Sequence, residues 1–124
     1  MNNEIRNKAL VIFAQGEKEL QNAHKHLGKS IDGKVRAIVR RAAGFYIDGL
    51  LTLSPRDNYG SSFINHLKAL QFDSTVPEDI RNSAEVLTLK VGDEDLSGID
   101  AIRHGESIID YCKISLHQIK SEFF

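Results

Sequence analysis

The side chains able to do chemistry in this 124-residue chain are few: five histidines, one cysteine and a group of arginines. Metal sites inside helical bundles rely on Glu-x-x-His pairs, because ligands three residues apart share one helix face. No glutamate here is followed by a histidine at that spacing, His-x-x-x-His is absent, and one cysteine cannot build a thiolate zinc site. The nearest approach to a site is Asp100 with His104, one helical turn apart and able to share a proton or a metal ion. An ordinary surface contact between side chains four apart is the expectation. Cys112 lies between Ile109 and Leu116 on an apolar stripe. That places it as a small buried hydrophobe rather than a nucleophile. His24, His26, His66 and His117 have no partner at a diagnostic spacing. No catalytic residue, metal site or cofactor is therefore assigned.

A basic group remains: Arg36, Arg40 and Arg41, joined by Arg56 and Tyr59 in a following loop. The forked guanidinium suits phosphate, and a tyrosine can stack on a base, so these five residues are the candidate nucleotide or RNA contacts. Net charge is −1, which argues against a general polyanion binder. The average conceals a split. From His24 to Arg41 only Asp32 opposes Lys25, Lys29, Lys34, Arg36, Arg40 and Arg41, whereas Asp73 to Asp110 carries many more acids than bases. Either the two stretches face each other, within a chain or between chains, or the basic one meets an anion.

The elements that must position these groups are helices. Ile5, Ala9, Ile12, Phe13, Gly16, Leu20, Ala23 and Leu27 recur at the three-and-four spacing of one helix face from Asn3 to Leu27, and Gly28 ends the segment. A second helix is expected from an N-cap at Ser30 to about Leu53, with Ile31, Val35, Ile38, Ala42, Phe45, Gly49 and Leu53 inward and Pro55 as its stop. Gly33, Ala37 and Gly44 mark a close approach on it. Ser54 to Gly60 is a turn-rich loop, and Ser61 or Ser62 caps a short helix through Leu70. Thr75-Val76-Pro77-Glu78 has the form of a capping box, with Thr75 as cap, opening a helix with Ile80, Ala84 and Leu87 inward. Val91 to Gly98 is a loop, and the last helix starts near Ser97 with a seam of Ile102, Gly105, Ile109, Cys112, Leu116, Ile119 and Phe123. No sustained alternation of period two marks a strand. The expected fold is one all-α domain spanning residues 1–124, an up-and-down bundle of four or five helices.

Three runs, Arg40 to Leu51, Asn58 to Leu70 and Val76 to Leu87, together resemble small bacterial proteins of the HEPN type. That resemblance implies an α-helical bundle, commonly dimeric, in a family that includes RNA-cleaving toxins and nucleotide-binding partners of nucleotidyltransferases. Its active members carry an arginine followed, after four to six residues, by a histidine. Here those positions hold Val11, Ile12 and Phe13 after Arg6, Ser61, Ser62 and Phe63 after Arg56, and Ile108, Ile109 and Asp110 after Arg103. Arg36, Arg40, Arg41 and Arg81 also lack the histidine. The resemblance carries a fold and no ribonuclease site.

No disulfide can form within the chain, and neither a signal segment nor a membrane span is visible, so a cytoplasmic protein without a membrane partner is expected. The expected role is a non-catalytic interaction module that self-associates as a homodimer, through the small-residue face of the second helix or the seam of the last. A nucleotide- or RNA-binding domain using the arginine cluster is the alternative.

Overall fold

A computed structural model describes residues 3–90 and 95–123, with side chains through Ile119. Five helices follow in order: α1 (Asn3–His26), α2 (Asp32–Leu53), α3 (Phe63–Phe72), α4 (Glu78–Thr88) and α5 (Gly98–Phe123). No strand occurs among the described residues, so the all-α expectation holds with five helices. No helix among them is long and apolar enough to cross a membrane.

α2 is the central element, packed against α1, α3 and α5, while α4 bridges α3 and α5. Its neighbours come close because glycines remove the side chains that would hold them apart. A Cβ on Gly49 would lie 2.7 Å from Phe13 Cε1 of α1, and one on Gly16 would lie 2.7 Å from Tyr46 Cδ2. Gly44 meets the side chain of Phe63 on α3, and Gly105 of α5 meets Val39. Phe13 pairs with Tyr46 at 5.6 Å between ring centres, and Phe45 with Phe63 at 4.6 Å, edge to face. Residue numbers fall along α2 as they rise along α1, from Phe13 on Gly49 to Glu19 on Arg41, so these two helices are antiparallel. Val35 and Val39 meet Gly98 and Gly105 in rising order, so α2 and α5 run the same way.

The core collects Val35, Ile38, Val39, Ala42, Ile47 and Leu50 of α2 with Leu67, Leu70, Leu87, Ile108, Ile109 and Cys112 from its neighbours. The seam of α5 is buried at Ile102, Gly105, Ile109 and Cys112 and half-buried at Leu116 and Ile119; the side chain of Phe123 lies outside the described residues. The expected loop from Val91 to Gly98 falls partly outside them too, at residues 91–94.

Helix ends follow local rules, with two corrections. Gly28 takes φ +79 after α1, Ser62 caps α3 by accepting from Asn65 N at 3.1 Å, and Ser97 accepts from Asp100 N at 3.2 Å. Ser30 does not cap α2: Ile31 is the extended cap residue, 73% exposed rather than inward, and Ser30 Oγ lies 2.8 Å from His26 Nδ1. Thr75 does not cap α4. The residue before a proline is pushed out of helical geometry, so Val76 cannot open a helix, and α4 begins after Pro77. Thr75 turns back instead, donating its N–H (3.0 Å) and hydroxyl (2.6 Å) to Asp73 Oδ1. Ile5, expected inward, is 42% exposed, because α1 begins before its contact with the core.

The contact at Gly44 is testable. Gly44→Val drives a branched side chain into Phe63, whose ring is already held by Phe45, so the overpacking cost of about 1–3 kcal/mol exceeds any gain in helix propensity. Urea denaturation followed by circular dichroism should show a lower midpoint with an unchanged slope; an unaltered midpoint would refute this packing role.

Candidate functional site

The loop between α2 and α3 supplies the most connected polar group in the described chain. Leu53 ends α2 because Ser54 precedes Pro55, and Asn58 (φ 66) and Gly60 (φ 65) take left-handed geometry, which folds the loop back. The fold-back buries Tyr59, 4% exposed, and aims its hydroxyl at Asp73, to which it donates at 2.6 Å. Its carbonyl lies 2.9 Å from Nδ1 of the buried His66, which fixes the loop onto α3. Arg56 reaches under the loop. It donates from Nη1 to the Tyr59 hydroxyl at 3.3 Å and from Nη2 to the Tyr111 hydroxyl of α5 at 2.9 Å, and it sits 3.6 Å from Asp73 Oδ2. One guanidinium therefore ties the α2–α3 loop, the α3–α4 turn and α5 together.

Electrostatics follow from this arrangement. Burial would raise the Asp73 carboxyl, but the Thr75 and Tyr59 hydrogen bonds and the charge of Arg56 outweigh it and hold it below the ordinary carboxylate value. Burial and the bond to Asp73 push the Tyr59 phenol up, against the pull of Arg56, so it stays neutral and donates. Burial disfavours the Arg56 cation, yet its bonds to Tyr59 and Tyr111 raise its value and keep it charged.

Two clefts flank Arg56. One, of about 790 Å³, lies between the start of α4 and α5, with Leu50, Ile80, Tyr111 and Ile114 as apolar lining and Asp79 and Asp110 as carboxylates. The other, of about 820 Å³, lies beside α3 and includes Lys68 and the 79% exposed Phe72. Both are open and mixed in polarity.

The five sequence candidates do not gather on one surface. Arg36 is buried and donates from Nη1 to Leu96 O at 2.8 Å. Arg40 donates from Nε to Leu87 O and from Nη2 to Leu89 O at 3.3 Å; burial and the nearby Arg36 cation lower its pKa. These two arginines staple the end of α4 and the start of α5 to α2. Arg41 faces the other way and pairs with Glu19 of α1 at 3.0 Å. Arg56 and Tyr59 meet in the network just described, with the tyrosine ring buried rather than presented for stacking. So the basic stretch does contact the acidic one, but mainly through arginine on backbone carbonyls, together with a His24–Glu106 contact at 3.8 Å. Sequence reasoning missed Tyr111 and Asp73, since nothing local in either signals a partner dozens of residues away.

The other chemical candidates are also resolved in space. Asp100 accepts from Arg103 at 3.3 Å, whereas His104 turns to α4, with Nδ1 3.0 Å from Ser83 Oγ. Ser83 is buried, and the pair joins α4 to α5. Among the described residues no group of three or more potential ligands could hold a metal. Cys112 is fully buried, and burial pushes its thiol up to about 12, Arg56 opposing.

Compared with protein-family models, curated proteins and solved structures, the chain matches none.

Two outcomes follow. Because the folded Asp73 value lies below the unfolded one, its stabilisation is complete above about pH 3.9 and is lost as pH falls through the lower folded value. Asp73→Asn should lower stability at pH 7 by about 1–3 kcal/mol and narrow its gap from the parent chain in acid, read by urea titration at several pH values; a gap independent of pH would refute the linkage. Cys112 should resist a thiol reagent such as dithionitrobenzoate in native buffer and react stoichiometrically in guanidinium; rapid native labelling would contradict its burial.

Proposed function

We propose that the chain is a non-catalytic helical-bundle interaction module that self-associates as a homodimer. The supporting observation is the outside of α1. This helix packs chiefly on α2 through Ala9, Phe13, Gly16, Leu20 and Ala23, and leaves Leu10 (40% exposed) and Val11 (61%) in solvent. Aliphatic side chains on the far side of a helix whose near side already completes the core are free for a second molecule.

The surfaces first expected to make the dimer serve the chain itself: Gly44 and Gly49 receive Phe63 and Phe13, and Gly105 receives Val39. Nucleotide or RNA binding through Arg36, Arg40, Arg41, Arg56 and Tyr59 is the weaker reading, since phosphate recognition needs cations converging on one surface and the four arginines are engaged in four separate contacts. The HEPN-type classification, with its bacterial and cytoplasmic setting, belongs to the same proposal; strict up-and-down alternation does not, since it would oppose α2 and α5, which run the same way. The support for that classification is the order of five helices, the glycines of α2 and the Tyr59–Gly60 turn.

Sedimentation equilibrium from about 10 μM to about 1 mM, a range that covers weak protein–protein affinities, tests the proposal. The weight-average mass should climb from the 13.9 kDa of one chain toward twice that value. A constant monomer mass across the range would overturn it.

A further inference from the structure

We infer that His66 of α3 and Asp48 of α2 form a site for a divalent transition-metal ion such as zinc, bound on the imidazole Nε2 and one carboxylate oxygen. The site is separate from the self-association proposed above and does not depend on it. His66 is 2% exposed. Its Nδ1 lies 2.9 Å from the Tyr59 carbonyl oxygen, which can only accept, so Nδ1 carries the ring proton. In the neutral ring Nε2 is then a lone pair. That nitrogen is buried and has no hydrogen-bond partner among the described residues. Asp48 Oδ1 stands 3.8 Å from it. A buried lone pair left unmatched is costly, and an electron-rich oxygen beside it adds to the cost, so the pair favours a cation between them. His24 and Glu106 have the same separation, but both side chains are about half exposed and water satisfies them.

The separation says what fits. A direct hydrogen bond from Nε2 to the carboxylate would close it to about 2.7–3.2 Å. A water donating to both atoms would hold them about 4.5 Å apart, from bonds of about 2.8 Å set near the tetrahedral angle. An ion at the zinc–nitrogen and zinc–oxygen lengths of about 2.0–2.2 Å spans about 3.4 Å at the tetrahedral angle and about 4.2 Å in line. The observed 3.8 Å falls inside that range. The ring is also held as metal-binding histidines are, with its far nitrogen donating to a backbone carbonyl that fixes the tautomer. Asp48 is the open side. Its side chain is 40% exposed against 3% for His66, so an ion enters over the carboxylate and keeps water ligands there. Two protein ligands are fewer than those of a closed zinc centre, and binding is correspondingly weaker. Imidazole selects zinc, nickel or copper over magnesium and calcium, which take oxygen ligands. A bound ion would tie α3 to α2 beside the point where His66 anchors the Tyr59 loop.

Long-range proton–nitrogen NMR spectra of the five imidazoles, recorded on tag-free chain titrated with zinc chloride, test the site. The His66 Nε2 resonance should move first and saturate near one equivalent, and magnesium chloride should not move it. Asp48→Asn, at a half-exposed position, should keep the helical circular dichroism and weaken zinc binding by about tenfold or more, since loss of even an outer-sphere partner costs that much. Glu106→Gln should leave the affinity unchanged. A His66 ring that zinc does not alter, whether it holds a second proton or a water instead, overturns the site. So does zinc that acts only on His24, His26, His104 or His117. Binding to His66 that survives Asp48→Asn undiminished removes the carboxylate and with it the two-helix site. Because the spectra read the ring itself, each of these outcomes is distinct from whether two copies associate.

Discussion

The close packing of aromatic rings onto the glycines of α2 and its neighbours is the constraint on which the remainder of the molecule depends. A glycine in a helix interior costs about 1 kcal/mol against alanine, and α2 carries one at Gly44 and another at Gly49. Each is filled by the ring of a different helix, Phe63 of α3 and Phe13 of α1. The lost propensity is offset by burial of large aromatic surface, worth about 1.5–3 kcal/mol for a fully buried side chain. α2 thus accepts α1 and α3 on adjacent faces while α5 covers a third with Gly98 and Gly105 against Val35 and Val39. On α2 the arginines point to separate partners: Arg36 and Arg40 to the α4–α5 segment and the exposed Arg41 to Glu19 of α1.

That enclosure explains the fate of the charged groups. Arg36 and Arg40 emerge where α2 meets the end of α4 and the start of α5, and helix ends and the segments between them expose carbonyl oxygens that lack helical partners. Guanidinium groups satisfy those carbonyls, so the basic stretch acts as a clamp on the chain between α4 and α5. Arg56 performs the equivalent task at the opposite end, where two tyrosine hydroxyls and one carboxylate surround it. The basic stretch thus meets the acidic one where α2 packs on α5 and Arg40 reaches the end of α4.

How much of this was legible in the sequence depended on the range over which the information acts. Helices α1, α2, α3 and α5 were readable from apolar spacing and from Gly28, Pro55, Ser62 and Ser97, each of which acts within a turn of itself. The boundary of α4 was misread because Thr75 and Glu78 satisfied one local rule while Pro77 enforced a stronger one on Val76. Of the small residues of α2, Gly44 is a close approach, but its partner Phe63 was not legible: one sequence cannot distinguish a ring from the same chain from a helix of another copy. Tyr59 was visible as an unusual loop residue, while its burial depended on Asp73 and Tyr111, which local spacing does not connect to it.

The same range argument says where a binding surface can be sought. Residues whose partners lie within the chain are removed one by one: the glycines by rings, Arg36 and Arg40 by carbonyls, Arg41 by Glu19, Tyr59 by Asp73, and His104 by Ser83. Positions with apolar character and no intramolecular role are then informative, since burial in a core no longer accounts for their type. On α1 the inward face packs chiefly on α2, while Leu10 is 40% and Val11 61% exposed. A helix in water gains nothing from exposed aliphatic groups; it gains from them when a second apolar surface removes them from water.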